Sequence, residues 1–456
     1  MRAATRITGT ALVFVLAALA LPVAFGAPTV AAALDLNPPR TDGAAPSPRP
    51  VAHVAGRPTA VVVVGDRGAV VSDALAPYEV LAATGAFNVY AVAPSGRPVP
   101  LTGGLDLVPD LTFADLDRLL GGAAPDAVIV PALPDHGEPT SKPVTDWLRR
   151  QADGGSLLLG VCSGAGVLAS AGLLDGRDAT SHWLRLGGYE DRYPAVRWAR
   201  GTRYVDDGDV ITTGGILSGV DGTLRVVERL VGRDAAARAA DVTGWPHYRP
   251  GTPASMPEAG LSPADAVTPV NSAFGWDRDT TGVLLTEGVG EIELASAFDT
   301  YGQSLAVRTV AVGGPAVRSR HGLTFVPRAD PATAGLDRLV VPGARAADLR
   351  AADAYADLTP VYLHERPGFP FDGVLRDLAR TTDVATATWT AKVLEYPTGH
   401  LDLVGPDWPW AVTLRPFALA ALDVLAALGA ARLTRSARGR AAPDLPGAVR
   451  REPVPA

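Results

Sequence analysis

The feature that most constrains the fold is an apolar stretch that ends at the only cysteine of the chain. Residues 156–161 read Ser-Leu-Leu-Leu-Gly-Val, and Cys162 is followed by Ser-Gly-Ala-Gly and then by a helical pattern. This order predicts a nucleophile elbow, in which Gly160 and Gly164 flank the reactive atom because the turn leaves no room for side chains. Free N–H groups and the dipole at a helix start favour a thiolate. The alternative is an unreactive cysteine buried in a sheet.

Continuous apolar runs alternate with helical patterns around this stretch, which predicts a parallel α/β sheet. The predicted strands are 60–64, 88–92, 127–131, 156–161 and 210–213, and the predicted helices are 72–84, 116–120, 144–152 and 222–230. In such sheets the chemistry lies beyond the carboxyl ends of the strands. Cys162 follows one of these ends.

The same pattern returns after residue 279, which predicts a second copy of the fold. Residues 282–286 resemble the first strand, residues 338–343 resemble 126–131, and residues 383–389 resemble 179–183. The spacing of Asp73, Pro77 and Glu79 recurs in Glu293, Ala297 and Asp299.

The two copies differ where chemistry is expected. The second has no cysteine, Thr388 stands where His182 stands in the first, and residues 360–365 replace the elbow. We therefore expect the second copy to be a structural or ligand-binding partner of the first. A residual site at His364 and Glu365 is the less favoured alternative.

The first 27 residues predict a signal anchor or a signal peptide, because Arg2 and Arg6 precede an uncharged apolar run. That run, from Ile7 to Ala27, is just long enough to span a membrane, which favours an uncleaved anchor. The predicted organisation continues with a Pro/Ala-rich linker at 28–57, the domain with the cysteine at 58–240, a linker at 241–279, the second copy at 280–433 and a basic disordered tail at 434–456.

The stretch 416–431 near the C-terminus is ambiguous. It is apolar on all sides except at Asp423, which suits lipid, yet an acid at mid-span costs about 2.5–3.5 kcal/mol. It is therefore either the last helix of the second copy or a transmembrane helix. If both ends span, their arginines are cytoplasmic and the folded body lies outside. The predicted location is membrane-anchored with extracytoplasmic domains, or secreted.

Composition narrows the classes of partner. The formal net charge of −7 argues against a nucleic-acid partner. One cysteine excludes an internal disulfide, and no cluster with zinc-ligand spacing is found. We therefore predict no metal and no cofactor, with a small molecule and the membrane as partners.

Three residues are predicted to carry the chemistry. Cys162 is the nucleophile, and Asp73, after the first strand, is the acid whose proton stabilises the thiolate and lowers the pKa of the thiol. His182, shortly after the elbow, orients water or relays a proton. The alternatives are a helix cap for Asp73, a cap of a buried strand for His182, and a redox sensor for Cys162.

The segments Cys162–Arg177, Ala179–Trp183 and Val210–Asp221 resemble the ThiJ/PfpI family of the class I glutamine amidotransferase-like superfamily. The resemblance covers 58–240 strongly and 280–430 weakly. It implies two flavodoxin-like parallel-sheet sandwiches in tandem after the N-terminal helix. It also places the family's nucleophile, acid and histidine on Cys162, Asp73 and His182.

The nearest branches of that family are isonitrile hydratases and the ligand-binding halves of AraC-type regulators. The resemblance therefore implies a Cys-dependent hydrolase or hydro-lyase acting on a small molecule, or else a non-catalytic small-molecule or redox sensor. The chain departs from the family where Ala132 and Leu133 follow Pro131 instead of two glycines, which affects the oxyanion hole. Family members often dimerise, and the second copy would fill that interface here.

Overall fold

The computed structural model describes residues 2–40, 51–248, 250–251 and 254–440. The helices are α1 (Arg2–Leu34), α2 (Val71–Ala83), α3 (Phe113–Leu119), α4 (Lys142–Asp153), α5 (Gly164–Ser170), α6 (Trp183–Arg192), α7 (Ser218–Leu230), α8 (Arg233–Thr243), α9 (Val267–Phe274), α10 (Glu291–Ser304), α11 (Pro370–Thr381), α12 (Val384–Val393) and α13 (Trp410–Arg440). The strands are β1 (Thr59–Val63), β2 (Asn88–Ala93), β3 (Val99–Leu101), β4 (Leu105–Val108), β5 (Leu111–Thr112), β6 (Ala127–Val130), β7 (Leu157–Gly160), β8 (Asp178–Ala179), β9 (Arg197–Trp198), β10 (Tyr204–Asp207), β11 (Val210–Thr213), β12 (Thr280–Leu284), β13 (Arg308–Val312), β14 (Val317–Arg318), β15 (Thr324–Val326), β16 (Arg338–Val341) and β17 (Val361–Tyr362).

The N-terminal half, residues 59–243, is built on a seven-stranded sheet of order β10-β11-β7-β6-β1-β2-β5. Its strands run parallel except for β10, which pairs antiparallel with β11. Both faces of β1, β6 and β7 are buried, which explains their uninterrupted apolar sequences. The predicted strands and the flavodoxin-like α/β fold of this half are confirmed.

The register of the central strands positions the site. Strand β6 pairs with β1 on one side and with β7 on the other, with Val130 opposite Gly160. Helix α2 begins after β1, and Cys162 comes two residues after the end of β7. The first turn of α2 and the cysteine turn therefore meet at one edge of the sheet.

The C-terminal half, residues 280–404, has a smaller parallel sheet of order β13-β12-β16-β17. This order matches that of β2-β1-β6-β7. Helices α11 and α12 pack on α10 and on each other, as α7 and α8 do with α2. Residues 383–389 fall in and just before α12, where Asp383 caps the helix by accepting the Thr386 N–H at 2.7 Å. The expected match of Thr388 with His182 is therefore wrong, because Thr388 is inside a helix and His182 precedes one.

The two halves share a third sheet, of order β14-β15-β4-β3. Strands β15 and β4 pair antiparallel across the junction, with Phe325 opposite Leu107. Helices α2 and α10 pack against each other. Each carries an acid that accepts an N–H from the first turn of the other: Ile292 donates to Glu79 at 2.6 Å, and Ser72 to Asp299 at 3.2 Å. The halves thus meet through approximately two-fold related contacts.

Helices α1 and α13 pack against each other and against α9. Helix α1 extends through Leu34, beyond the predicted boundary at 27, and α9 lies inside the predicted linker 241–279. Helix α13 continues to Arg440, into the predicted tail 434–456, whose residues 441–456 lie outside the described part. Helix α11, rather than α13, occupies the place in the C-terminal half that α7 has in the N-terminal half, because α11 packs on α10 as α7 packs on α2.

Among the described residues, one segment, Trp410–Thr434, is long and apolar enough to cross a membrane, and a shorter apolar segment covers Ala18–Leu34. No residue of the most apolar part of Trp410–Thr434 is fully buried. Membrane association is thus suggested only weakly by length and composition. The carboxylate of Asp423 accepts the backbone N–H of Leu21 at 2.8 Å, so the mid-helix acid of α13 is paired with α1.

Candidate functional site

Cys162 occupies a strained turn between β7 and α5. Its φ is +56°, a left-handed conformation that is uncommon for residues other than glycine. Its N–H donates to the Thr213 hydroxyl at 3.2 Å, and its carbonyl accepts from Ser181 Oγ at 2.8 Å. A Cβ on Gly164 would lie 1.9 Å from the Val130 carbonyl, so only glycine fits there. The predicted elbow is confirmed as a backbone conformation.

Asp73 is fully buried in the first turn of α2, beside the cysteine. One carboxyl oxygen, Oδ2, accepts the Ala132 N–H at 3.0 Å. The other, Oδ1, has no hydrogen-bond partner of good geometry among the described residues, and the carboxyl faces the Cys162 thiol. Asp73 therefore caps no N–H of its own helix. Burial raises the pKa of Asp73 well above its ordinary value, which favours the protonated acid.

The pKa of the Cys162 thiol is shifted in the direction opposite to the one expected from the sequence. Burial and the neighbouring Asp73 raise its pKa, and the opposing effect of the Ser163 N–H is smaller. The expected lowering of the pKa by the helix start is therefore wrong for this closed site. Desolvation outweighs the N–H groups of a helix that has only seven residues.

His182 is buried at the start of α6, and both of its ring nitrogens are occupied. Nδ1 accepts the Leu184 N–H at 3.2 Å, so Nε2 carries the proton and donates to the Val393 carbonyl at 2.9 Å. Burial lowers its pKa to about 4, so the ring is neutral near pH 7. The ring caps a helix and ties it to the C-terminal half. A proton relay through it requires one of these bonds to open.

Two further side chains near the turn, Tyr189 and His136, were not predicted from the sequence. The Tyr189 hydroxyl lies 3.0 Å from His136 Nε2, and its pKa, raised to about 12 by burial, responds to both Ser163 and Cys162. A Cβ on Gly166 would lie 2.3 Å from this hydroxyl. Gly166 in the helix after the elbow was the only sequence signal that another side chain approaches this helix closely.

The C-terminal half covers the site. The Leu394 carbonyl accepts the Leu217 N–H at 3.0 Å, and Glu395 accepts the Ser218 hydroxyl at 2.6 Å. Glu395 also lines a narrow groove of about 10 Å³ with Trp183 and Met256. No sequence signal linked these residues to Cys162, because they come from a different half of the chain.

A cluster of side chains that could hold a metal ion lies elsewhere, at the contact between α2 and α10. Within the described ranges, oxygen or nitrogen atoms of Glu79, Glu291 and His321 lie within 4.8 Å of one another. These groups already bind each other and their neighbours: Glu291 accepts from Ser319 at 2.6 Å and contacts His321 Nδ1 at 2.8 Å. Their arrangement joins the two halves.

Comparison with known proteins gives a consistent result for the N-terminal half. A family model described as the DJ-1/PfpI family matches residues 59–229. Isonitrile hydratase from Pseudomonas putida is 34% identical over 192 residues, which cover 41% of this chain and 80% of that protein.

Two regulators show similarity over the same region. The HTH-type transcriptional regulator GlxA of Rhizobium meliloti is 34% identical over 34% of this chain and 46% of its own length. The regulator CdhR of Pseudomonas aeruginosa is 29% identical over 34% of this chain and 44% of its own length. The chain thus spans less than half the length of either regulator.

Among solved structures, Drosophila melanogaster DJ-1beta matches with a TM-score of 0.36 and 24% identity, over 41% of this chain and 97% of that one. A ThiJ/PfpI family protein from Pseudomonas syringae matches with a TM-score of 0.35 and 27% identity, over 44% of this chain and 82% of that one.

Proposed function

Because the chain belongs to the DJ-1/PfpI family, we propose that it is a cysteine-dependent hydro-lyase or hydrolase that acts on a small electrophilic molecule, with isonitriles as the first class to test. The observation that carries this proposal is the buried carboxyl of Asp73, which faces the thiol of Cys162 with one oxygen free of good hydrogen bonds. A nucleophile beside an acid that keeps its proton is the arrangement required for attack coupled to proton transfer.

The chemistry for an isonitrile, R–N≡C, begins with the thiol. The Cys162 sulfur bonds to the terminal carbon while Asp73 gives its proton to that carbon and takes the proton of the thiol. The product is a covalent thioimidate, R–N=CH–S. Water then adds to its carbon, and one water proton passes to nitrogen. Cleavage of the C–S bond returns a proton to sulfur and releases the formamide R–NH–CHO.

The neighbouring groups support these steps by position. The Ala132 N–H is held by Asp73 at 3.0 Å, so it orients the acid instead of an oxyanion. The Tyr189 hydroxyl, whose pKa is raised to about 12, stays protonated and donates to His136 Nε2 at 3.0 Å, because His136 Nδ1 donates to the Leu133 carbonyl at 3.1 Å. His182 fixes α6 against the C-terminal half.

The C-terminal half is proposed to be a degenerate second copy of the same domain, as the sequence predicted. The support is its strand order, together with the reciprocal contacts of Glu79 and Asp299 across α2 and α10. In this proposal the second copy takes the place of a partner subunit. Size measurement by light scattering tests it, with a monomer expected.

A membrane anchor made of α1 and α13 is proposed as the cellular attachment. Its support is the pairing of the Asp423 carboxylate with the Leu21 N–H at 2.8 Å, which satisfies the acid that argued against a span. We expect the full chain to sediment with membranes after an alkaline wash and the folded body to be accessible to protease from outside. Release by the wash contradicts the anchor.

The catalytic proposal is tested by intact-mass measurement of the full chain after exposure to isonitriles, amides and 2-oxoaldehydes, together with assay of product release. Cys162→Ser is the control, because it keeps the size of the side chain. We expect covalent modification of the wild type and catalytic product formation from one substrate class. An unreactive thiol across the panel contradicts the enzyme.

The second candidate function is a small-molecule sensor. It is favoured by the covered thiol, whose pKa is raised by burial, and by the similarity of residues in this half to two transcriptional regulators. That similarity also raises DNA as a partner, against the expectation from net charge. Saturable binding of a small molecule without turnover, with or without a change in DNA binding, is the outcome expected for a sensor.

A further inference from the structure

Glu395 comes from the C-terminal half, outside the family-matched residues 59–229, and its carboxyl lies against Gly214, next to the Thr213 that binds the Cys162 N–H. It directly follows α12, on a segment docked by two backbone contacts. The Val393 carbonyl binds His182 at 2.9 Å, and the Leu394 carbonyl accepts the Leu217 N–H at 3.0 Å. These contacts fix the backbone just before Glu395 against the N-terminal half.

The carboxyl of Glu395 is only half satisfied. Its Oε2 accepts the Ser218 hydroxyl at 2.6 Å. Its Oε1 is buried and has no hydrogen-bond partner of good geometry in the part of the chain described. A buried oxygen left in this state costs about 1–3 kcal/mol, and it is open to a hydrogen bond from a bound molecule such as water.

The surrounding backbone is shaped to admit this carboxyl. A Cβ on Gly214 would lie 2.6 Å from Oε2, and a Cβ on Gly215 would lie 2.6 Å from the carboxyl carbon. Glu395 itself has a φ of +52°. Non-glycine residues in this region cost about 1–3 kcal/mol and concentrate at functional sites.

The charge of Glu395 reaches both members of the reactive pair. It raises the pKa of Asp73 and that of Cys162. Burial raises the pKa of Glu395 itself, with the Ser218 hydroxyl and the Gly215 N–H opposing the rise. Two acids in one buried site, one committed to the attack, leave the other to act on water.

We propose that Glu395 is the catalytic base for the water step, contributed by the C-terminal half to the Cys162 site. This inference rests on the proposed function. The Glu395 carboxylate takes one proton of a water molecule as the water oxygen bonds to the thioimidate carbon, and then returns that proton to the nitrogen. The C–S bond breaks in the following step, as above. The C-terminal half is therefore part of the active site.

The test uses the full chain and n-butyl isonitrile, with Glu395→Gln as the variant, since glutamine keeps the size of the side chain and can still accept from Ser218. We expect a loss of turnover of about 10²-fold or more, and accumulation of the Cys162 thioimidate in intact-mass spectra within the first turnover. Glu258→Gln is the matched control, because Glu258 lines the same groove but is exposed. It should turn over as the wild type does.

Ser218→Ala gives an independent check if Glu395→Gln folds poorly. Removing the hydroxyl that holds Oε2 should slow turnover by about 3- to 30-fold, with the same accumulation of adduct. Wild-type rates in Glu395→Gln, or lost activity with Cys162 unmodified, overturn the assignment. If Cys162 of the wild type never reacts with the isonitrile, the proposed function is overturned as well. That result is distinguishable from the two outcomes for Glu395→Gln, because it is seen in the wild type.

Discussion

The Cys162 turn and the His364 turn occupy equivalent places in the two halves. Val161 donates its N–H to Val130 at 2.9 Å, and Leu363 donates to Val341 at 3.1 Å. The next residues are Cys162 and His364. In each half an acid from the first turn of the preceding helix accepts an N–H just beyond the neighbouring strand: Asp73 from Ala132 at 3.0 Å, and Glu293 from Ala344 at 2.8 Å.

The two acids differ in what holds their second oxygen. Glu293 Oε2 accepts from Arg320 at 3.0 Å and from the Gly290 N–H at 2.7 Å, whereas Asp73 Oδ1 has no hydrogen-bond partner of good geometry among the described residues. His364 is fully engaged too, since its Nδ1 accepts the Gly343 N–H at 2.9 Å. The same backbone frame thus serves structure in one half and leaves unpaired groups in the other. We therefore expect reactivity to depend on the unpaired acid as well as on the cysteine.

Replacing the nucleophile should have the largest effect. Cys162→Ala is expected to lower turnover by at least about 10³-fold, because the covalent step is lost. The matched change, His364→Ala, should leave turnover within a few fold and lower the melting temperature, since the Gly343 N–H loses its acceptor. Steady-state rates and thermal unfolding measure both. Equal losses of turnover in Cys162→Ala and His364→Ala would contradict the proposed difference between the two turns.

Neutralising the acid comes next. Asp73→Asn keeps an oxygen for the Ala132 N–H but removes the transferable proton, so turnover should fall by about 10²-fold or more. The counterpart Glu293→Gln loses an ion pair with Arg320 and should change stability more than rate. The comparison is made on kcat at saturating substrate. A larger loss of kcat in Glu293→Gln would contradict the account.

Adding a methyl group at Gly166 in α5 should have a smaller effect, on stability. A Cβ at Gly166 would meet the Tyr189 hydroxyl at 2.3 Å, so Gly166→Ala should cost about 1–3 kcal/mol of stability through overpacking. Gly188 in α6 has open space where its Cβ would go, and Gly188→Ala should add up to about 1 kcal/mol. Chemical denaturation measures both free energies of unfolding. A stabilising Gly166→Ala would rule out the close contact with Tyr189.

The contact between the halves should give the smallest effect, a pH dependence. Burial, followed by the charge of Glu291, raises the pKa of Glu79 to about 7. Burial alone would lower the pKa of His321, but its hydrogen bond with Glu291 raises it. For both groups the folded state holds a proton that the unfolded state loses at lower pH, so stability falls as pH rises from 6 to 8.

For each kcal/mol by which the free energy of unfolding falls, the melting temperature should fall by about 2–4 °C. Arg320, which donates to Glu79 at 3.0 Å, limits its size. Glu79→Gln should flatten the pH profile, whereas Glu258→Gln, at an exposed position, should not. Stability that rises between pH 6 and 8 would contradict the assignment.

Local sequence patterns predicted much of the N-terminal half. The Val-rich run of β1 and the run of leucines in β7 are buried on both faces, so their strands were evident from sequence alone. The shared sheet was missed, because β3, β4, β14 and β15 are short and their pairing depends on the docking of the two halves. Residues 383–389 were misassigned because a short match of composition carries no information on helix caps.

The site was predictable only where it is local. The turn at Cys162 follows from small residues next to a strand, and the structure places Asp73 beside it, although the catalytic roles stay predictions. The predicted direction of the shift in the thiol pKa was wrong, because the sequence does not reveal which residues cover the turn. Glu395 and Tyr189 reach the site through tertiary contacts over long sequence separations, which no spacing rule encodes.

The central claim is that Cys162 and Asp73 form one buried, electrostatically coupled pair. The pH dependence of iodoacetamide alkylation tests it directly, because the chain has one cysteine. We expect a wild-type thiol pKa raised above its ordinary value that falls in Asp73→Asn, since at the alkaline pH where the thiol titrates Asp73 has lost its proton and its charge disfavours the thiolate. A thiol that titrates near its ordinary pKa in both proteins would contradict the account.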